Sequence, residues 1–350
     1  MVNLYAGLET VKRAAGISGA DKDIVLLRII EAASRRIDQQ VRRRFIPLTA
    51  TRLFDWPQEL GSSSVILWLH DDLLAVTTLL SKAQDTSPTT IVAADYFLEP
   101  QRYGPPYNRI EMDLSAAAAY ESGDTPQRSI SVAGRWGYGE DTKAAGTLAA
   151  AISTTTATTL TCSDASLIDV GDTLLIESEQ LYVSARATVD TTANTSGALN
   201  ADKSQTTVAL SNGALVSPGE VLLINSERMY VDSISGNNAT VIRAYDGSVL
   251  ATHADAQDVY VYRLLTVVRA VNGTTAATHA NSTAISKYVP PLAIIDLCVA
   301  ESIAAFHQEQ SGWGRVVGTG EGQRAWSGSA LDDLRRRVIS VYRRGRQAAV

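Results

Sequence analysis

Residues 158–183 read TTLTCSDASLIDVGDTLLIESEQLYV, and residues 206–231 repeat this segment as TTVALSNGALVSPGEVLLINSERMYV. The two copies align without a gap and share Thr-Thr, a central Gly, Leu-Leu-Ile, Ser-Glu and Tyr-Val. Apolar residues alternate with polar ones on both sides of the glycine, which is typical of short antiparallel strands. An internal repeat of this length predicts a duplicated β module.

A second pair of copies follows at a different offset. Residues 240–259 read TVIRAYDGSVLATHADAQDV, and residues 266–285 read TVVRAVNGTTAATHANSTAI. In chain order the pieces are front half, front half, back half, back half, whereas a side-by-side tandem requires front and back to alternate. We therefore predict nesting, in which a module of residues 204–263 lies inside a loop of an outer module formed by residues 146–203 and 264–289.

The segments on either side of this insertion differ in pattern. Residues 21–44 carry apolar side chains at helical spacing with arginines on the other side, and Pro290-Pro291 opens further helices. Short strands broken by Ser, Pro and Gly are predicted between residues 52 and 138. The predicted fold class is α+β, with a connector-like core that is a helical bundle with a small β element (residues 1–145 and 290–350) and an inserted, nested two-module antiparallel β region.

The composition is that of a folded protein and suggests no catalytic centre. Hydrophobic residues make up 45% of the chain, and a net charge of −6 gives the whole chain no electrostatic footprint for nucleic acid. Cys162 and Cys298 lie in unrelated segments, which argues against a disulfide framework and against a zinc site. The first residues lack the blocks of a signal peptide, and no stretch has the length of a membrane span. We predict no enzyme activity, no cofactor, no metal and synthesis in the cytoplasm.

Ionisable residues occupy matching positions in the two modules. His253 and His279 both lie in Ala-Thr-His-Ala, and we predict that they serve the hydrogen bonding of their own modules. Glu179 and Glu227 each precede a Leu/Met-Tyr-Val strand, for which a paired Ca²⁺ site is one interpretation and a solvated turn the favoured one. His70 has no partner at metal-binding spacing and is predicted to be a turn residue.

Arginines crowd both ends of the chain, while the middle is acidic and rich in Thr, Ala and Ser. Such a run on an amphipathic helix is a solvated face, one side of a subunit interface or a contact to DNA phosphate. For the N-terminal group we favour an interface between subunits, because arginine pairs bidentately with carboxylates of a partner. The side chains nominated for this interface are Arg35, Arg42, Arg43 and Arg44.

Outside the insertion, a series of motifs occurs in order. The chain opens with LETVKRAAGISGADKDIVLLRIIEAASRRIDQQVRRRFIP, followed by LWLHDDLLAVTTLLS, ADYFLEP, NRIEMD and ISVAGRWGYGE. VPPLAIIDLCVAESIAAFH and LDDLRRRVISVYRR follow the insertion. This series, over about 200 of the 350 residues, resembles the head–tail connector (adaptor) family of tailed phages. In that family LWLHDDLLAVTTLLS would form a strand, a Leu-rich turn and a strand, and the repeats themselves look like small β modules of phage structural proteins.

The resemblance implies a structural virion protein that assembles as a twelve-fold ring below the portal, at the head–tail neck, with genomic DNA passing through its centre. The expected partners are the portal protein, a tail or stopper protein and further copies of the chain. Fibres or capsid are candidate partners of the β modules, and no membrane is expected. Because the C-terminal segment of the family commonly contacts the portal, the residues nominated for portal binding are Leu331, Arg335, Tyr342, Arg343 and Arg344.

Two alternatives stay open at this point. The β modules could make the chain a fibre-attachment or host-adhesion protein with the helices as an anchor only. The arginine-rich helices could instead make it a DNA-binding assembly factor. For the connector that the resemblance implies, we expect the modules to attach to the rest of the chain through one loop, to project outward and to leave the channel clear.

Overall fold

The computed structural model describes residues 3–59, 62–311, 316–317, 324–325 and 329–345. The helices are α1 (Leu8–Ala15), α2 (Asp23–Val41), α3 (Leu292–Gln310) and α4 (Ser329–Tyr342). The strands before the repeats are β1 (Leu48–Phe54), β2 (Gln58–Glu59), β3 (Ser62–Ser63), β4 (Ile66–Ser81), β5 (Thr89–Ile91), β6 (Tyr96–Glu99), β7 (Tyr107–Met112) and β8 (Ile130–Trp136). The repeats and the C-terminal part contain β9 (Thr142–Thr147), β10 (Thr159–Thr161), β11 (Thr173–Ile176), β12 (Glu179–Asn194), β13 (Thr207–Ala209), β14 (Val221–Ile224), β15 (Glu227–Ser235), β16 (Asn238–Ile242), β17 (Asp258–Val268), β18 (Ala284–Tyr288), β19 (Val316–Val317) and β20 (Arg324–Ala325).

Two large antiparallel sheets organise these strands. The first has the order β1-β8-β4-β7-β6, with β5 paired to the end of β4, and it encloses a hydrophobic cluster in which Trp136 is fully buried. The second has ten strands in the order β13-β16-β15-β14-β17-β12-β11-β18-β9, with β10 paired to β17. Two short ladders, β2 with β3 and β19 with β20, are separate from both.

The predicted fold class is wrong, because a helical bundle with a small β element does not describe this core. The described residues form mostly antiparallel sheet. The error arises in LWLHDDLLAVTTLLS, where Asp71-Asp72 resembles a turn signal between two short strands. Ile66–Ser81 is instead one continuous strand, β4. It runs through this point because its backbone pairs with β7 before and with β8 after these two residues, and Asp72 is buried there beside Arg43 and Arg344.

The four helices pack together beside the sheets around one hydrophobic cluster. Leu26, Ile30 and Ile37 of α2 lie on one face at helical spacing, and all three are fully buried there. Removing each such side chain from water stabilises the fold by about 1.5–3 kcal/mol. The helix predicted at residues 21–44 is therefore present as α2, although the helices make up a smaller part of the described residues than the sheets.

The two repeat units have separate hydrophobic clusters. Buried side chains from residues 145–183 and 265–285 form the cluster of the outer unit, and those from residues 199–261 form the cluster of the nested unit. Leu199 packs in the nested unit although it precedes residue 204, where that module is predicted to begin.

Matching turns of the two units bind the N-terminal segment of the chain. In the nested unit, Asp246 accepts a hydrogen bond from the Gly19 amide (2.9 Å) and pairs with Lys12 (3.1 Å). In the outer unit, Asn272 occupies the matching position and exchanges two hydrogen bonds with the Asn3 side chain (2.8 and 2.9 Å). The units are thus held by specific contacts as well as by chain connections, in contrast to the expected attachment through one loop.

Asp169 of the outer unit closes the start of α1. Its Oδ2 accepts a hydrogen bond from the Thr10 amide (3.2 Å), and the Leu8 amide donates to the Val170 carbonyl (3.0 Å). Amides in the first turn of a helix have no partner within the helix, so the outer unit supplies what α1 lacks. Burial and the charge of Asp172 raise the pKa of Asp169 above its usual range.

Gly273→Ala is expected to destabilise the contact between the outer unit and β1. A Cβ atom at Gly273 would lie 2.1 Å from the Thr49 carbonyl oxygen, and the residue has φ = 74°. Gly236→Ala is the matched control, because its φ is 59° and no atom lies within 4 Å of the added Cβ. The control should lower the free energy of unfolding only by the about 1–2 kcal/mol that a left-handed backbone costs a residue with a Cβ atom. Chemical denaturation should show a clearly larger loss of unfolding free energy for Gly273→Ala than for the control. Equal losses would contradict the close approach of Gly273 to the Thr49 carbonyl.

Candidate functional site

The two arginine-rich ends of the chain meet at Asp72, a buried residue of β4. Arg43 Nε lies 3.6 Å from Asp72 Oδ2, and Arg344 Nη1 lies 3.2 Å from Asp72 Oδ1. Arg344 also donates to the Leu69 carbonyl (2.8 Å), and its amide donates to the Val41 carbonyl (2.9 Å). Burial raises the pKa of Asp72, and the charges of the two arginines oppose this shift. One carboxylate thus ties the chain after α2 and after α4 to the first sheet.

Aromatic side chains stabilise the same junction. The Tyr342 ring meets Phe45 and Tyr138 edge to face, at centroid distances of 5.7 and 5.5 Å. The Arg43 guanidinium lies 4.8 Å from the centre of the Tyr138 ring. Tyr342 and Arg344, both nominated for portal binding, therefore make contacts within the subunit.

Arg42, Arg44 and Arg343 surround this junction and are exposed. None of the three forms an ion pair with a carboxylate in the part of the chain that the structure describes. Arg42 ends α2 in a left-handed conformation (φ = 56°), where a cation is favoured by the helix dipole. We call Arg42, Arg44 and Arg343 the basic surface. It borders two shallow cavities of about 420 and 670 Å³ that share Arg42 and Arg344.

The other nominated residues lie in contacts among the helices. Arg35 Nη1 pairs with Asp38 Oδ2 (2.7 Å), and Arg335 Nε pairs with the buried Glu301 Oε1 (2.9 Å). Leu331 packs against the helical cluster. The structure therefore brings six of the nine nominated residues to one place: Arg42, Arg43, Arg44, Tyr342, Arg343 and Arg344.

Sequence reasoning missed the acidic partners at this place. Asp71 pairs with Arg52, whose guanidinium lies 4.4 Å from the centre of the Trp136 ring. His70 was predicted to be a turn residue, which is wrong, because it lies within β4 and stacks on Phe54 at 5.6 Å. A run of polar residues is the same signal for a turn as for a buried charged site, so the sequence alone could not separate the two.

A buried charged site closes the nested unit. Glu227 accepts hydrogen bonds from Arg243 Nε and Nη2 (2.7 and 2.8 Å) and contacts His253 Nε2 at 2.9 Å. The amides of Ala244 and Ala251 also donate to it (2.9 and 3.0 Å). Burial alone would raise the pKa of Glu227, but these hydrogen bonds lower it to about 2.

The outer unit repeats this site with one difference. Glu179 binds Arg269 (2.6 Å to both nitrogens) and His279 Nε2 (2.8 Å), and against the effect of burial these bonds lower its pKa to about 2. His279 Nδ1 faces the Glu177 carboxylate (2.8 Å), whereas the matching nitrogen of His253 faces the Asn225 amide nitrogen (3.1 Å). Both ring nitrogens of His279 are therefore placed to donate, while His253 accepts at Nδ1.

These sites correct one prediction and confirm another. Glu179 and Glu227 are fully buried, so a solvated turn is wrong for both. His253 and His279 do serve the hydrogen bonding of their own modules. N–H donors occupy the oxygens of both glutamates, which leaves them no free position for a Ca²⁺ ion. Among the described residues, no group of three or more His, Cys, Asp or Glu side chains could hold a metal ion.

The chain matches no protein-family model, no curated protein sequence and no solved structure. None of the helices in the described ranges is long and apolar enough to cross a membrane.

Glu227→Gln is expected to lower the free energy of unfolding of the repeat region by about 3–5 kcal/mol, because it leaves Arg243 buried without its counter-charge. Asp232→Asn is the matched control, since this carboxylate is exposed on the same strand. Thermal unfolding of the two variants should separate them clearly. A loss below about 0.5 kcal/mol for Glu227→Gln would mean that the buried pair contributes no stability.

The repeat region should lose stability in acid over a defined range. Because the pKa of Glu179 and Glu227 is lowered to about 2, their contribution is complete above the ordinary value of 4.5 and is lost as the pH falls toward about 2. Melting temperatures measured by circular dichroism from pH 6 to pH 2 should fall steeply below about pH 4.5. The double variant Glu179→Gln/Glu227→Gln should have a lower melting temperature at pH 6 and a smaller decrease below pH 4.5. Parallel curves for the variant and the wild type would show that these two glutamates do not cause the loss of stability in acid.

Proposed function

We propose that this chain is a structural subunit of a tailed-phage particle, a head–tail connector that forms a ring between the portal and the tail and acts without catalysis. The ring lies at the head–tail neck of the virion and surrounds the passage of genomic DNA. Its subunits are made in the host cytoplasm. Its partners are the portal protein, a tail or stopper protein and further copies of itself.

The observation that carries this proposal is the junction at Asp72. The motifs that resemble the connector family are far apart in the sequence, yet the opening and closing motifs contribute Arg43 and Arg344 to one buried carboxylate. The repeats form a separate sheet, and the basic surface beside the buried junction is exposed to partners. A subunit whose two ends combine into one exposed charged surface suits assembly better than it suits chemistry on a small molecule.

The C-terminal part of this surface is the proposed portal contact, but of the five residues nominated from the sequence only one is kept as a contact residue. Leu331, Arg335, Tyr342 and Arg344 make contacts within the subunit, so they position α4 and the chain after it. Arg343 is exposed and remains as the side chain that a partner can reach. The neighbouring Arg337 is exposed on α4 as well.

Native mass spectrometry and light scattering of the full chain, with and without portal protein, test the proposal. A twelve-subunit ring, alone or only on the portal, is the expected result. Arg337→Glu/Arg343→Glu should weaken portal binding, whereas Lys203→Glu, a single charge reversal at an exposed site in the nested unit, should not. A monomer or trimer that ignores the portal would overturn the connector function and favour fibre attachment or host adhesion through the β modules.

A further inference from the structure

Charge is separated along this chain. Residues 140–290 carry fifteen acidic and eight basic side chains, whereas residues 291–350 carry six acidic and eight basic ones. Within the repeats, Arg243, Arg263 and Arg269 each bind a buried glutamate through two nitrogens. Each of these pairs removes one negative and one positive charge, so the remaining side chains keep the whole acidic excess of this part of the chain.

Three exposed carboxylates lie on or next to the paired ends of β12 and β17, where the chain enters and leaves the nested unit. Asp258 accepts a hydrogen bond from Asn194 across the ladder (2.8 Å). Asp190 on β12 lies opposite Tyr260, which is two residues after Asp258 on β17. Asp255 lies in the turn that precedes β17. None of the three forms an ion pair with a described residue. We call Asp190, Asp255 and Asp258 the module carboxylates.

The basic surface has the opposite imbalance. Arg42, Arg44 and Arg343 are exposed without carboxylate partners in the described ranges. The local excess of positive charge is felt by their neighbour Arg52, whose pKa is lowered by burial and then by the charge of Arg44. An anionic partner would relieve this repulsion.

We propose that the basic surface of one copy binds the module carboxylates of the next copy. This inference rests on the proposed ring, because a closed head-to-tail assembly requires two different and complementary surfaces on every subunit. A second copy fits better than the phosphate backbone of DNA. The chain as a whole has a net charge of −6, which disfavours the approach of a long anionic strand, and Asp38 and Asp71 lie among the arginines. Mixed charges of this kind are typical of contacts between proteins.

Exchange of charge between the two surfaces tests the contact. Arg42→Glu/Arg44→Glu and Asp190→Lys/Asp258→Lys are made as two separate variants. Their assembly is measured by native mass spectrometry, with or without portal, in the condition in which the wild type forms rings. Each variant alone should associate about tenfold more weakly or worse. An equimolar mixture should recover rings in which the two variants alternate, because every contact then joins opposite charges again.

Controls separate this contact from folding and from the ring itself. Lys203→Glu and Asp124→Lys reverse exposed charges outside both surfaces and should assemble normally. Circular dichroism checks that each variant is folded, and recovery in the mixture could not occur if either were not. Normal rings from both variants, or no recovery on mixing, would overturn this contact while the connector function stands. Normal rings from Arg42→Glu/Arg44→Glu with a loss of salt-sensitive duplex binding would assign the surface to DNA. A wild type that never forms rings would remove both proposals.

Discussion

The antiparallel pairing of β12 with β17 is the constraint on which the repeat region depends. The chain enters the nested unit along β12 and leaves it along β17, and the two strands stay paired from Tyr182 with Val268 to Asn194 with Asp258. An insertion whose two ends are already neighbours does not separate the two halves of the outer unit. β17 contributes side chains to both clusters, whereas β12 contributes Leu181 and Val183 to the outer cluster, and shifts of register interrupt the ladder between the two strands.

A buried glutamate completes each unit after its strands have paired. In each unit a glutamate of the front half, Glu179 or Glu227, binds the arginine and the histidine of the back half. In the nested unit these partners follow soon after the glutamate in the sequence, whereas in the outer unit the whole nested unit lies between them. A buried charge is costly to remove from water, and only a complete set of donors offsets that cost. The matching histidines differ in one partner, because His279 contacts Glu177 and His253 contacts Asn225. The two copies of the repeat thus share the buried Glu-Arg-His group but differ in the residue beside the histidine.

The junction at Asp72 differs, because Arg43 and Arg344 contact its carboxylate as ion pairs and not through hydrogen bonds. Its carboxylate is buried by Arg43 and Arg344, and this pairing leaves the neighbouring arginines outward and without partners among the described residues. Rigid support of this kind lowers the cost of holding exposed side chains in place when a partner binds. The proposed connector function and the proposed contact between copies both use this surface.

The repeats, their matching histidines and glutamates, and helix α2 could be predicted from the sequence, because each shows itself as a pattern of spacing along the chain. The extent of the first sheet could not. Asp71-Asp72 has the composition of a turn, yet the strand continues through it, because its backbone pairs with β7 before and with β8 after these residues. The buried Asp72 meets Arg43 and also Arg344, which lies 272 residues further along the chain. The burial of Glu179 and Glu227 depended in the same way on partners from the other half of each unit. Local patterns determine which elements form and repeat, whereas the environment of a charged side chain is decided by the groups that the tertiary fold brings to it.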